Sequence, residues 1–187
     1  MKRFPSVEKE DVGRITSEAI VEGQVQYDDR GYSVLHAAAS KGWIAGVRYI
    51  IDNRILDVNI LDSNESNQTP LYIASFHGRA DVVRLLLSGG ADANVADDPY
   101  AVTPLHVASR HGFAEVAASL LDGGANLEAR DNDRKSTPLL LAADQSKMAV
   151  VKLLIDRGAD VSAKDTFDHS YQDLLARNER NPAMRKR

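Results

Sequence analysis

Apolar residues recur at helical spacing in short, regularly placed runs. Val82-Val83-Arg84-Leu85-Leu86-Leu87, Val116 to Leu121 and Val150 to Ile155 are examples. Such runs predict short helices that bury one face and leave the other in water. A phrase that opens another helix precedes each of them. Thr69-Pro70-Leu71-Tyr72, Thr103-Pro104-Leu105-His106 and Thr137-Pro138-Leu139-Leu140 lie 34 residues apart, and Ser33-Val34-Leu35-His36 stands 36 residues before the first. A hydroxyl residue can accept a bond from an orphan amide at a helix start, and proline at the first helical position lacks the N–H that would go unpaired. The first helix of the third copy is thus expected over about Pro104–His111. Gly42, Gly78 and Gly112 punctuate these first helices as residues of positive φ. Gly90-Ala91-Asp92, Gly124-Ala125-Asn126 and Gly158-Ala159-Asp160 close the second ones. The segments beyond, such as Asn94-Val95-Ala96-Asp97, are too short for helices and are expected to form projecting hairpin fingers.

Self-similarity of this period decides the architecture, because each copy buries its apolar face only against its neighbours. Four full units are expected, at 28–61, 62–96, 97–130 and 131–164, followed by a degenerate closing unit at 165–178. A helical N-terminal cap is expected over 1–27, with Val12, Ile15, Ala19 and Ile20 at helical spacing and Gly23 as the stop. The basic tail, 179–187, reads as solvated and fraying.

The recurring phrases, the mid-unit glycine, the Leu-Leu runs and the Gly-Ala-Asp endings come together and in order. In this the chain resembles the ankyrin repeat family from about Asp28 to Asn178. The resemblance implies an all-α solenoid of helix-turn-helix units with short β-hairpin fingers. It also implies that His36 and His106 are structural, each ring bonding to backbone and to a neighbouring hydroxyl. Some positions depart from the pattern. Asn53-Arg54 stands where the closing glycine is expected, and Asn53 is expected to take the left-handed turn. The finger Asp62–Gln68 is two residues longer than the family period implies, and very polar. Ser146 and Leu140 replace the glycine and histidine of the fourth unit, whose inter-helix turn is expected to be the least regular.

Composition narrows the chemistry. The chain has no cysteine, which excludes disulfides and thiol catalysis. Its net charge of −4 speaks against a nucleic-acid binder. No signal-peptide pattern or membrane-length apolar run is visible, so a cytoplasmic protein is expected. His106 and His111 are five residues apart, on different helix faces, and make a poor metal clamp. Gly89-Gly90 and Gly123-Gly124 lack the Gly-Lys-Ser/Thr that a phosphate loop needs. Asp57, Asp92, Asp97, Asp131, Asp160 and Asp165 are periodic, as turn residues are, whereas a catalytic pair need not recur in every unit. No catalytic site, metal site or cofactor is therefore expected.

The resemblance further implies binding of a protein or peptide through the concave surface of finger tips and first helices. That places Tyr32, Ser40 and Lys41 of the first unit, and Glu65, Gln68, Phe76 and His77 of the second, at the interface. The third unit offers Tyr100, Val102, Arg110 and His111, and the fourth Arg134, Ser136, Asp144 and Gln145. Phe76, Tyr100 and Arg110 stand out, since interface hot spots favour aromatic residues and arginine. Trp43 and Phe113 open second helices and are expected to pack against the adjacent turn. Asn59 and Asn94 occupy the place that resembles the asparagine hydroxylation site of animal ankyrin proteins. The expected protein is a monomeric scaffold. An inhibitor of one enzyme and a microbial effector acting on host proteins are the alternative roles.

Overall fold

The computed structural model describes residues 20–21, 24–64 and 66–180. Nine helices lie among them: α1 Val34–Lys41, α2 Ile44–Asp52, α3 Pro70–Phe76, α4 Ala80–Ser88, α5 Pro104–His111, α6 Ala114–Asp122, α7 Pro138–Asp144, α8 Met148–Asp156 and α9 Tyr171–Arg180. Helices α1, α3, α5, α7 and α9 pack in sequence as an inner layer, and α2, α4, α6 and α8 form the outer one. The result is an all-α solenoid.

Helices of seven to ten residues are too short to stand alone, so the stacking supplies their stability. Leu35, Leu71, Leu105 and Leu139 form one buried row, and Ile50, Leu86, Leu120 and Leu154 another. Burying such a side chain contributes about 1.5–3 kcal/mol. The expected helix starts are present: Thr69 Oγ1 accepts from the Tyr72 amide at 3.1 Å, and Thr103 and Thr137 do the same for His106 and Leu140. The outer helices open differently. Trp43, Arg79, Phe113 and Lys147 hold an N-cap without a side-chain hydrogen bond. Each follows a tight turn whose left-handed residue is Gly42, Gly78, Gly112 or Ser146.

The fourth of these turns corrects the expectation of irregularity. Ser146 adopts φ 53°, and the Lys147 amide reaches Ala142 O at 2.8 Å, matching the bond from Phe113 to Ala108 at 2.9 Å. The closing helix supports it. Asn178, which is buried, donates from Nδ2 to Ala143 O, Asp144 O and Ser146 Oγ. The end of α2 brings a second correction. Asn53 keeps φ −93°, and Arg54 takes the left-handed conformation at φ 50°, as Gly90, Gly124 and Gly158 do in the following units. The turn needs its positive φ at the second position of the pair, which here falls on arginine.

The fingers are hairpins, as expected. Each has one left-handed residue: Gly31, Asn67, Ala101, Lys135 or Asp168. The aspartate at the base of each finger ties the loop: Asp97 Oδ1 accepts from the Val102 amide at 2.8 Å, and Asp131 Oδ1 accepts from the amides of Arg134 and Ser136 at 2.9 and 3.1 Å. Successive fingers join by backbone bonds from Ser63 to Gly31, Asp98 to Ser66, Asn132 to Tyr100 and Thr166 to Arg134, at 2.7–2.9 Å.

The N-terminal expectation needs correcting where it can be compared. Ile20–Val21 (β1) pairs antiparallel with Gln24–Val25 (β2), so Ile20 belongs to a strand. The β-branched Ile20, Val21 and Val25 favour that extended backbone, and Val25 packs against the core at the open end of the first unit. Val12, Ile15, Ala19 and Gly23 lie outside the described residues, as does the basic tail beyond Arg180. Glu65, at the tip of the second finger, lies outside them too.

His36 and His106 latch adjacent units together. The Ser33 amide donates to His36 Nδ1 at 3.2 Å, so Nε2 carries the proton and donates to Gln68 O at 2.9 Å. His106 repeats this between the Thr103 amide, 3.2 Å, and Ser136 O, 3.1 Å. Burial, outweighing the carbonyl of Gln68, pushes His36 down to about 4 from 6.5, and burial lowers His106 in the same direction. Unit four shows that leucine fits the same place, since Leu140 is fully buried there.

Two predictions follow from this frame. Replacing Arg54 by glycine relieves a left-handed cost of about 1–2 kcal/mol and adds about 0.5–1 kcal/mol of unfolded-chain entropy. Urea denaturation of Arg54→Gly is therefore expected to show a net gain of up to about 1 kcal/mol. The histidines govern the acid response. Their native pKa values lie below the unfolded one, so the unfolded chain takes up protons first as pH falls. Stability is full above pH 6.5 and is lost between there and about 4, with His36 contributing about 3 kcal/mol. Denaturation midpoints measured from pH 7 to 4 should fall less steeply in His36→Leu/His106→Leu than in the wild type.

Candidate functional site

A groove of about 780 Å³ runs along the inner helices beneath the fingers, lined by residues of the second, third and fourth units. Its floor is apolar. Tyr72, Val102 and Val107 line it, and Leu141 continues the lining into the fourth unit. Ile73 and the half-buried Tyr32 pack with Tyr72 and Val107 in a small cluster but do not line the groove. Val107 and Leu141 both stand two residues after the leucine of the repeated phrase.

Of the residues expected at the interface, the groove brings together Phe76, Tyr100, Val102, Arg110, His111, Arg134, Ser136, Asp144 and Gln145. The others lie elsewhere. Tyr32 stacks on His36 at 5.6 Å, with the Arg30 guanidinium 4.9 Å from its ring centre. Lys41 is exposed at the end of α1. Ser40 O accepts from Arg79 Nε at 3.0 Å, and the backbone of Gln68 is taken by Asp62 and His36. His77 is exposed beside Phe76, the two rings 5.2 Å apart.

Phe76 is the apolar centre of the helix-end wall. It is 45% exposed and meets the His111 ring edge-on at 5.0 Å; His111 in turn stacks on Phe113 at 5.8 Å. Phe113 closes over Gly78, where a Cβ would lie 3.1 Å from its ring, and Trp43 covers Gly46 in a comparable way. Phe113 thus packs against the adjacent turn, as expected, whereas Trp43 lies over a glycine of the helix it opens. Tyr100, 59% exposed, stands at the tip of the third finger.

The charged groups of the groove divide into bound and unbound. Asp97 accepts from the Val102 amide and from the Tyr72 hydroxyl at 3.2 Å. Burial raises the Asp97 carboxyl, with these two donors opposing it, and burial together with Asp97 raises the Tyr72 phenol. Arg134 lies 3.7 Å from Asp144 and 3.6 Å from the buried Asp165, and Arg177 of the closing helix also pairs with Asp144. Arg134 and Asp144 are thus engaged with each other and with the last unit. Among the described residues, Arg110 and Lys147 have no carboxylate within ion-pair distance, and Asp133 on the finger side has no cation within it. Burial, aided by the charges of Arg110 and Lys147, lowers the His111 imidazole, which favours its neutral form against Phe76.

Sequence reasoning missed Tyr72, Val107, Leu141 and Lys147. Tyr72 occupies the place that His36 and His106 fill structurally, and its size carries it past the latch to Asp97. The signal available for Val107 and Leu141 was an apolar residue two places after the leucine of the repeated phrase. Asn59 and Asn94 make structural clips: Asn59 Oδ1 accepts from the Asp92 amide at 2.8 Å, and Asn94 Oδ1 from Asn126 at 2.7 Å. No group of His, Cys, Asp or Glu suited to a metal ion occurs among the described residues, and no described helix is long and apolar enough to cross a membrane.

Comparison with known proteins agrees with this architecture. A family model described as ankyrin repeats (3 copies) matches residues 13–97 and 93–165. Delta-latroinsectotoxin-Lt1a of Latrodectus tredecimguttatus is 40% identical over 68 residues, which is 35% of this chain and 5% of the toxin. The chain thus spans only a small part of that relative. With the family model spanning most of the sequence, and the latched helix pairs and linked fingers repeating unit after unit, the chain belongs to the ankyrin repeat family.

Proposed function

We propose that the protein is a binding scaffold that recognises another protein or a peptide through the groove of its second to fourth units, without chemistry of its own. One observation carries this reading. Phe76, on an inner helix whose other apolar side chains are buried, and Tyr100, at a finger tip, stay 45% and 59% exposed and line one groove. Neither ring is needed to close a turn. Aromatic side chains held on rigid helices and braced fingers lose little freedom on binding, which is how a small surface gains affinity. The groove's carboxylates other than Asp133 make structural bonds, and His106 uses both ring nitrogens in its latch. An assembly of this kind offers a partner surface rather than a reacting group. The likeness to the latroinsectotoxin covers 35% of this chain and 5% of the toxin, and no toxin activity is carried over from it.

The test is affinity capture from host lysate followed by titration of the captured partner. Phe76→Ala and Tyr100→Ala are each expected to weaken binding by about 1–2 kcal/mol, the scale of an interface anchor. Melting temperature should stay unchanged, because both side chains are exposed. Equal affinity for wild type and both variants would move the site off the groove.

A further inference from the structure

The reading above leaves open what chemistry the groove selects. Its volume, about 780 Å³, is that of a site for a small molecule or a few side chains. A chain segment fits where a folded domain does not. Its floor, made by Tyr72, Val107 and Leu141 between Phe76 and Tyr100, asks for a large apolar side chain.

The walls carry the rest of the specificity. Asp97 and Asp131 are taken by finger amides, and Asp144 by Arg134 and Arg177, which leaves Asp133 as the one lining carboxylate without a bond among the described residues. The cations at the ends of the inner helices have no such partners. Arg110 is exposed at the last turn of α5, where a cation suits the helix dipole and gains no fixed counter-charge. Lys147 follows the next inner helix, its stem lying over Gly112, beside His111 in the sequence. Two uncommitted cations therefore line the groove together with Phe76 and His111.

Resting on the reading of the groove as a recognition site, we infer that its occupant is an extended acidic peptide segment of a partner protein. In that segment an Asp or Glu stands beside a large apolar residue. The carboxylate pairs with Arg110 and Lys147, and the apolar side chain lies on Phe76, Val107 and Leu141.

The probe is a displayed library of random peptides of about a dozen residues, long enough for groove-type recognition, selected on the full chain. Selected peptides are then synthesised with a fluorescent label and titrated. The expected result is enrichment of acid-plus-aromatic or acid-plus-leucine pairs. Arg110→Glu should weaken the selected peptides roughly tenfold or more, and added salt should weaken the wild type in parallel. Arg110→Gln, which removes only the charge, should give a smaller loss in the same direction. Enrichment of basic or uncharged peptides, or indifference to both Arg110 variants, would overturn the inference. So would a library that yields no binder. In that last case, a lysate partner captured by the wild type and lost in Phe76→Ala would keep the broader reading of the groove.

Discussion

No unit of this chain can bury its own apolar face. The pair of helices that carries Leu71 and Leu86 is only seven and nine residues long, and their full burial requires the neighbouring pairs. Everything else depends on that stacking. It sets the inner helices side by side, and it brings each finger within 3 Å of the next, so that backbone amides and carbonyls pair across units. It also places a carbonyl of one finger opposite the histidine of the preceding unit. His36 and His106 are polar groups at full burial, tolerable only because both ring nitrogens are bonded.

The frame tolerates sequence change where the backbone requirement can be met another way. Ser146 and Arg54 accept a left-handed conformation that glycine supplies elsewhere, since stacking on both sides determines the chain path. Leu140 replaces a histidine latch with apolar packing. Tyr72 does something different in the same position: its hydroxyl travels on to Asp97, binding the second unit to the finger of the third. Asn178 finishes the stack by donating to the carbonyls of Ala143 and Asp144 at the end of α7.

The groove arises from the same geometry. Fingers that lean together and helices that end in line leave a furrow between them, and residues at equivalent positions in successive units line it in rows. Acids at the finger bases are spent holding the loops. Cations at helix ends are free because the helix dipole favours them there without a partner. The contrast between acids engaged at the finger bases and the available cations Arg110 and Lys147 at the helix ends is thus a by-product of how the repeat is built.

The repeat, the positions of the paired helices, the caps of the inner helices and the fingers are legible along the chain, because these rest on local chemistry: hydroxyl caps, proline at the first turn, glycine at positive φ and apolar spacing. Most of the groove was legible for the same reason, since equivalent positions fall in equivalent places. Only the tertiary structure decided which candidates are available. Arg134 and Asp144 look free along the chain, yet each is bound by a residue from another unit, while Tyr32 is drawn beneath a finger onto His36. Val107 and Leu141, which were not singled out along the chain, line the groove. The strand at Ile20, expected as helix, was decided the same way, by a partner strand at Gln24–Val25. Pairing and exposure depend on distances between residues some thirty positions apart, and no local pattern encodes those.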